Sequence, residues 1–507
     1  VATDRPAAQV RGGALAPVGL ALLVAAGAIG MALSLAAEST LVSYGVLGAL
    51  GLSAYLLWAR GAKRLAIAGL FFLAPIDVSK AIVAPDTEFY SPGLYLSPAH
   101  AVLLVLFAGW VVRRTLVERR LPPMTALDAL ALAWLGWIWV RAVGSAQGTL
   151  ALATAVSYSL AVLGFYAVSH LLTDVADLRA ALKASVWVLL LETLFVAAQM
   201  AAHYPFALPG SKAIPFASTL TFGGEGLAFR PSGFVTNPNG LADHLTIVLG
   251  PALAFTLLGA RRVGARVWLV ALAVLVAAGV MLLLTLSRGG WVAFAVGSLF
   301  TVAVYASKRI LTLRQLSAAG LSLALLSLAF VSVYPQVLLR LTASDDRSVE
   351  SRVILSDQAL TIIRANPWLG VGYGDYNRAA NEYWPPSWGG ISADYQKEIL
   401  EVVVHDHYLL LAAELGLPAM LFFVFVMWRF IRLPFPLQRW QEPGRFGLAV
   451  GLSSTMVSQF VYLSADNYYA DTRIFMLWLC AGLLQALVLA QRGDEPVATA
   501  RQPVALA

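Results

Sequence analysis

Two histidines and three arginines are the side chains whose placement in this sequence suggests chemistry. His405 and His407 lie in Val404-His405-Asp406-His407-Tyr408-Leu409, where a long polar segment runs into an apolar one. Asp406 is expected to cap the helix that starts there. The positive end of a helix dipole disfavours imidazolium, so a histidine at that point is kept neutral and able to accept a proton. The plainer reading is a polar anchor at a membrane interface. Arg288 sits in Ser287-Arg288-Gly289-Gly290-Trp291, a tight hairpin between two apolar runs, either as a snorkelling cation or as an anion ligand. Arg352 opens a helical stretch, and Arg230 heads Arg230-Pro231-Ser232-Gly233-Phe234-Val235-Thr236-Asn237-Pro238-Asn239-Gly240, in which Asn239 serves the turn or faces a ligand. A guanidinium is planar, permanently charged and able to bond a phosphate through two N–H groups. Two of them holding a diphosphate leaving group take up its developing charge without a metal. A neutral His405 beside them would remove the proton from an attacking sugar hydroxyl.

The competing chemistry is a metal site. On a helix, His405 and His407 diverge by about 200°, and His407 shares a face with Glu414 only two turns away. No third ligand falls at metal-site spacing, so neither a metal nor a cofactor is expected. Glu414 is expected to be hydrogen-bonded between helices or to orient a neighbour. Trp368-Leu369-Gly370-Val371-Gly372-Tyr373-Gly374 has glycines spaced for tight turns and for close approach of backbone amides to a ligand. It lacks the lysine and the strand-to-helix context of a phosphate loop, which argues against ATP. Residues 381–396, rich in Tyr, Trp and Pro, suit stacking on sugar rings or a lipid interface.

The elements that must position these groups are membrane helices. The chain has 507 residues, 59% hydrophobic and only 12% charged, with a mean hydropathy of +0.75. Soluble domains carry about 25% charged residues. Apolar runs close to twenty residues long recur between short charged loops, the pattern of an all-α polytopic membrane protein with about 12–14 transmembrane helices. The runs lie near 14–36, 40–59, 64–77, 97–113, 127–144, 150–171, 181–201, 240–260, 265–285, 289–306, 315–336, 406–428, 445–465 and 472–491. The first is followed at once by a second and is not expected to be a cleaved signal peptide. Three units follow: an N-terminal transmembrane bundle (1–336), a large loop with amphipathic helices (337–405), and C-terminal transmembrane helices with a tail (406–507).

Alternate loops hold the basic residues: Arg60, Lys63 and Arg64; Arg113, Arg114, Arg119 and Arg120; Arg261, Arg262 and Arg266; Lys308, Arg309 and Arg314; Arg429, Arg432, Arg439 and Arg445. Those loops, and both termini, are expected to be cytoplasmic. The net charge of +7 is therefore read as topology rather than as nucleic-acid binding. The single cysteine, Cys480, lies inside an apolar run and leaves no disulfide framework. Within the outer loop, Val353, Leu355, Ala359, Ile362 and Ile363 have helical spacing, so an amphipathic helix is expected over 348–365, stopped by Asn366-Pro367.

Taken in order, five pieces resemble the O-antigen ligase/polymerase superfamily, the Wzy_C-type membrane glycosyltransferases. They are the Arg230-to-Ala242 segment, Ser287-Arg288-Gly289, Arg352 at a helix start, Pro367 to Gly374, and His405-Asp406-His407-Tyr408-Leu409 through Glu414-Leu415-Gly416. The last is similar to the family's His-Asn-x-Tyr-Leu…Glu-x-Gly signature, with Asp406 in place of the asparagine. The resemblance implies a GT-C-like fold in the bacterial inner membrane with a periplasmic active site. It also implies an undecaprenyl-diphosphate-linked glycan donor and a glycolipid or glycan acceptor, without nucleotide sugar, metal or nucleic acid. It makes His405 the base and Arg288 and Arg352 the diphosphate ligands, with Arg230 beside them. Asn239, Tyr373, Asp406, His407, Tyr408 and Glu414 stand as supporting residues, and an adjacent Asp406 is expected to raise the pKa of His405. A ligase, a polymerase and a protein O-oligosaccharyltransferase all fit these motifs, with ligase placed first. A bicarbonate or small-anion transporter is the alternative of another class. It would need ionisable groups at mid-membrane, for which Arg141, His170, Glu192 and His244 are the available residues and Asp466 and Asp471 flank an outer loop.

Overall fold

The computed structural model describes residues 60–83, 92–209, 211, 218–221, 227–235, 237–312, 314, 315, 317, 331–342, 346–383, 385, 400, 402–435, 440, 442–468 and 472–493. The apolar runs near 14–36 and 40–59, most of that near 315–336, most of the aromatic stretch 381–396, Asp471 and both chain ends lie outside the described residues.

The described residues begin with α1 (Arg60–Leu73), the short antiparallel pair β1 (Lys80–Val83) and β2 (Leu94–Leu96), and α2 (Pro98–Val112). Then come α3 (Ala126–Val143), α4 (Thr149–Leu171) and α5 (Val175–Ala202). A second antiparallel pair, β3 (Thr219–Thr221) and β4 (Leu227–Phe229), leads to α6 (Pro238–Leu258). The one-turn α7 (Ala260–Val263), α8 (Ala265–Leu284) and α9 (Arg288–Ser307) follow. The loop region carries α10 (Gln336–Thr342), α11 (Asp346–Ala365) and α12 (Tyr376–Glu382). The chain ends in α13 (His407–Leu415), α14 (Leu417–Arg432), α15 (Pro443–Tyr462) and α16 (Thr472–Gly493).

Among the described residues, eight helices are long and apolar enough to cross a membrane, and they coincide with eight of the expected runs. Together they make an all-α polytopic membrane protein. Their outward faces keep large apolar side chains exposed, such as Trp187 and Leu194 on α5 and Leu269 and Val276 on α8, as lipid-facing helices must. The centre is α16, 89% buried over its apolar window. Its Trp478 packs with Phe165 and Phe430, and both Trp134 and Trp478 donate an indole N–H to the Tyr158 hydroxyl, at 2.9 and 3.3 Å. Small residues bring α6, α9 and α15 to backbone contact. A Cβ at Gly451 would sit 2.5 Å from Pro251 Cα, and one at Gly297 would sit 2.1 Å from Ser458 Oγ. These three helices therefore form a rigid frame, and one end of it delivers the start of α6, the start of α9 and the end of α15 together.

Three expectations need correcting. The run near 64–77 is a fourteen-residue helix ending at Leu73. The run near 406–428 is two helices, broken at Gly416, whose φ of +90° suits a residue without Cβ. The reason lies in the glycine-spaced loop. Val371 and Gly372 donate their amides to the carbonyls of Ala413 and Glu414, at 2.9 and 3.0 Å, and Leu417 donates to Pro367, at 2.8 Å. A Cβ at Gly416 would lie 2.2 Å from the Trp368 carbonyl oxygen, and one at Gly370 (φ +67°) would lie 2.4 Å from that of Glu414. The amides expected to approach a ligand thus satisfy a helix end instead. Gly370→Ala or Gly416→Ala is expected to cost on the order of 2–5 kcal/mol through backbone strain and overpacking, seen as a lowered Tm in detergent.

The third correction concerns the amphipathic helix. It spans 346–365, and its buried face uses Ile354 where Val353 was expected; Val353 is 63% exposed. Ile354, Leu355, Ala359, Ile362 and Ile363 pack with Val403, Val404, Leu410, Ala412 and Ala413 into one core. The helix that starts at Asp346 and the segment that leads into His405 are therefore parts of a single packed unit.

Candidate active site

Arg230 follows β4 on a segment clamped by α5. The buried Gln199 accepts the amides of Ser232 and Gly233 at 3.1 and 3.0 Å, and the buried Glu192 accepts that of Phe234 at 3.3 Å. Arg230 Nε donates to the Thr285 carbonyl at 2.6 Å and its Nη2 to Asn239 Oδ1 at 2.7 Å. Arg288 is the first residue of α9, behind the cap made by Ser287. Arg340, on α10, donates through Nε to the Leu286 carbonyl at 3.2 Å. Arg352 projects from the exposed face of α11. These four arginines line one cavity of about 80 Å³, together with Asn239, Ser287, Gly289, Tyr462 and Ala465. Among the described residues lining it there is no carboxylate. Four guanidiniums around one space repel one another, and the arrangement is relieved by an anion of more than one negative charge. Arg340 gave no signal in the sequence, where it lies in Leu339-Arg340-Leu341.

His405 stands behind the same wall. The loop after α15 turns tightly enough that a Cβ at Gly289 would come within 2.7 Å of Ala465 Cβ. Ala465 lines the arginine cavity and the next residue, Asp466, faces His405, with Nδ1 3.4 Å from Oδ1. Asp466 also pairs with Arg473 at 2.9 Å, both side chains being almost fully buried. Burial alone would raise its carboxyl pKa, but Arg473, His405 and Arg352 together hold it well below the usual carboxylate range. The charge of Arg352 thus reaches the carboxylate that His405 contacts. The loop is pinned by Asn467 Nδ2 donating to the Val404 carbonyl at 3.0 Å and by the His407 amide donating to the Leu463 carbonyl at 2.8 Å. Of the two histidines, His405 is 25% exposed and His407 only 2%.

The supporting residues divide. Asn239 belongs to the cavity. Asp406 caps α13 by accepting the Leu409 amide at 3.0 Å, as expected. The carboxylate facing His405, however, is Asp466, from a distant loop. His407 is packed between Phe423 and Tyr468 and accepts the Tyr468 amide at 3.3 Å. Tyr408 donates to the Phe460 carbonyl at 2.6 Å. Tyr373 is buried edge-on against Tyr158. Glu414 is buried and accepts the Tyr376 amide at 3.2 Å, the neighbour-orienting role expected of it. The ionisable residues considered for a transport path are tied up in pairs, His170 with Asp128 and His244 with Glu192, each at 2.9 Å, while Arg141 donates to the Gly370 carbonyl at 3.2 Å. Among the described residues no three His, Cys, Asp or Glu side chains group as metal ligands.

Against known families, residues 272–424 match the Wzy_C model, described as O-antigen ligase. This segment is similar to the O-antigen ligase family. The Wzy_C match covers Arg288, Arg340, Arg352 and His405 through Glu414, and leaves Arg230 and Asp466 to flanking loops. No curated protein matches the chain. With its eight described membrane helices, the chain is a multi-pass membrane protein that carries a segment similar to the O-antigen ligase family.

One prediction follows from the Asp466–Arg473 pair. Asp466→Asn removes one buried ion-pair partner of Arg473, and breaking such a pair costs about 3–5 kcal/mol, read as a drop in Tm of the purified protein. Because the Asp466 carboxyl is depressed on folding, this stabilisation is complete above the unfolded carboxyl value of about 4 and is lost only as pH falls through the lower folded value. The Tm difference between wild type and variant is therefore expected to stay constant from pH 8 to pH 5.

Proposed function

We propose that the protein transfers a glycan from an undecaprenyl-diphosphate-linked donor to an acceptor hydroxyl on the periplasmic face of the inner membrane, in a GT-C-like frame. The observation carrying this reading is the cavity whose described lining holds four arginines and no carboxylate, separated from His405 by the Ala465-Asp466 turn. Arg288 and Arg352 bind the diphosphate, Arg340 adds positive charge, and Arg230, already bonded to Thr285 and Asn239, braces the wall. Asp466 accepts the Nδ1–H of His405 and leaves Nε2 as the base. Nε2 takes the proton of the acceptor hydroxyl while its oxygen attacks the anomeric carbon. The bond from that carbon to the phosphate oxygen breaks, and the electron pair leaves with the lipid diphosphate. The guanidiniums are strongest where charge builds on that leaving group.

The acceptor is proposed to be the lipid A core, making the protein a ligase. Purified protein is given lipid-diphosphate glycan with and without that core. Product that appears only when the core is present supports the ligase; chain extension without it makes the protein a polymerase, and no transfer in either arm overturns the reading. Addition of EDTA is expected to leave the transfer rate unchanged, since the leaving-group charge is taken up by arginine. Loss of activity restored by a divalent cation would contradict this.

A further inference from the structure

A second cavity lies at the far end of the helix bundle. It is lined by Lys63, Arg64, Arg113, Arg114, Glu118 and Asp174, with Trp110, His170 and Asp177 among its walls, and has a volume of about 510 Å³. That size is within the usual range for small-ligand sites, roughly 300–1,000 Å³. Helix α5 measures the separation. It starts directly after Asp174 and holds the Arg230 segment through Gln199, near its other end. Its 28 residues span about 42 Å at 1.5 Å per residue. The two cavities therefore open at opposite faces of the membrane, and the loops around this one are those the Lys/Arg distribution assigns to the cytoplasm.

Its charges are unequally committed. Lys63 is 2.5 Å from the buried Asp177, a pair largely closed to water. Arg64 also reaches Asp177, at 3.5 Å, while the contacts of Arg64 to Asp174 at 3.1 Å and of Arg113 to Glu118 at 3.2 Å are exposed, and that of the half-buried Arg114 to Glu118 is long, at 3.8 Å. Such exposed pairs contribute little and exchange readily for a stronger, bidentate partner. Four cations face three carboxylates, which leaves an excess of one positive charge. Arg114 lies 5.9 Å over the Trp110 ring, and that ring stacks on His170 at 6.4 Å, giving the charged rim an aromatic floor. Beside the cavity, the 113–124 segment exposes Leu116, Leu121 and Met124 next to exposed Arg119 and Arg120. That mixture of bare apolar and basic side chains fits the headgroup region of a bilayer.

We propose that this cavity binds the phosphodiester headgroup of an anionic phospholipid from the leaflet opposite the arginine site. A phosphodiester carries the single negative charge that the lining lacks. The exposed Leu116, Leu121 and Met124 favour a lipid over free phosphate, because they place the cavity mouth at the level where acyl chains begin. The assignment does not depend on the glycosyltransferase reading.

The test uses the full-length protein, delipidated in neutral detergent, with three probes: phosphatidylglycerol, phosphatidylcholine and inorganic phosphate. Native mass spectrometry and thermal unfolding report binding. Phosphatidylglycerol is expected to remain bound at one molecule per chain and to raise the Tm, with the other two probes ineffective. The double variant Arg113→Gln, Arg114→Gln is expected to weaken phosphatidylglycerol binding at least tenfold. The single variant Arg64→Gln, at a half-buried position where Lys63 still pairs with the buried Asp177, is expected to weaken it several-fold and serves if the double variant does not fold. Equal retention of phosphatidylcholine, binding unaffected by the substitutions, or saturation of the site by inorganic phosphate would each overturn the lipid assignment.

Discussion

His405→Ala is expected to lower the rate of glycan transfer by at least about 10²-fold, and up to about 10⁴-fold, the range that a positioned general base contributes. Expression, membrane insertion and Tm should stay close to wild type, because the ring is 25% exposed and its neighbours' backbone bonds are independent of it. His407→Ala is the informative contrast. That side chain is buried between Phe423 and Tyr468 and accepts the Tyr468 amide, so its loss opens a cavity and should lower stability rather than chemistry. A single-turnover assay with saturating lipid-linked donor separates the two. Wild-type single-turnover rates in His405→Ala would remove the proposed base.

Arg288→Lys and Arg352→Lys are each expected to reduce transfer by about 10²–10³-fold, the loss seen when one preorganised donor to a developing charge is removed. Charge is conserved in these variants, so the effect isolates the fork geometry that lysine lacks. Donor binding should weaken as well, because the diphosphate is present in the ground state. Arg230→Lys should behave differently. Arg230 Nε and Nη2 are engaged with the Thr285 carbonyl and Asn239, so the substitution loosens the frame and appears first as a lower Tm. Full activity in both Arg288→Lys and Arg352→Lys would make those residues structural.

Much of this architecture was legible because membrane helices announce themselves by length and hydropathy, and the eight described spans fall on eight expected runs. Arg288 was legible because it opens a helix directly after a tight turn, whereas Arg230 and Arg352 were legible through the ordered motifs that contain them. Arg340 was not, since a lone arginine between leucines on a short helix has no pattern to mark it. Asp466 was visible only as an acid in a short loop. Its role depends on a contact to His405 across sixty-one positions, which no local spacing encodes. The glycine loop misled for a related reason. Glycines that free backbone amides look alike in sequence whether the amides meet a phosphate or, as here, the carbonyls that end α13. Gly416 likewise carries no hydropathy signal, so one apolar run concealed two helices.

In the proposed reaction one lipid diphosphate sits between Arg288 and Arg352 with its sugar turned toward His405. Cryo-electron microscopy of the protein with undecaprenyl diphosphate in a lipid nanodisc tests it most directly. Density for both phosphates within hydrogen-bonding distance of the two guanidiniums, on the side of the Ala465-Asp466 turn that opens to His405, is the expected result. A diphosphate seated elsewhere, with the arginine cavity holding only water, would contradict it.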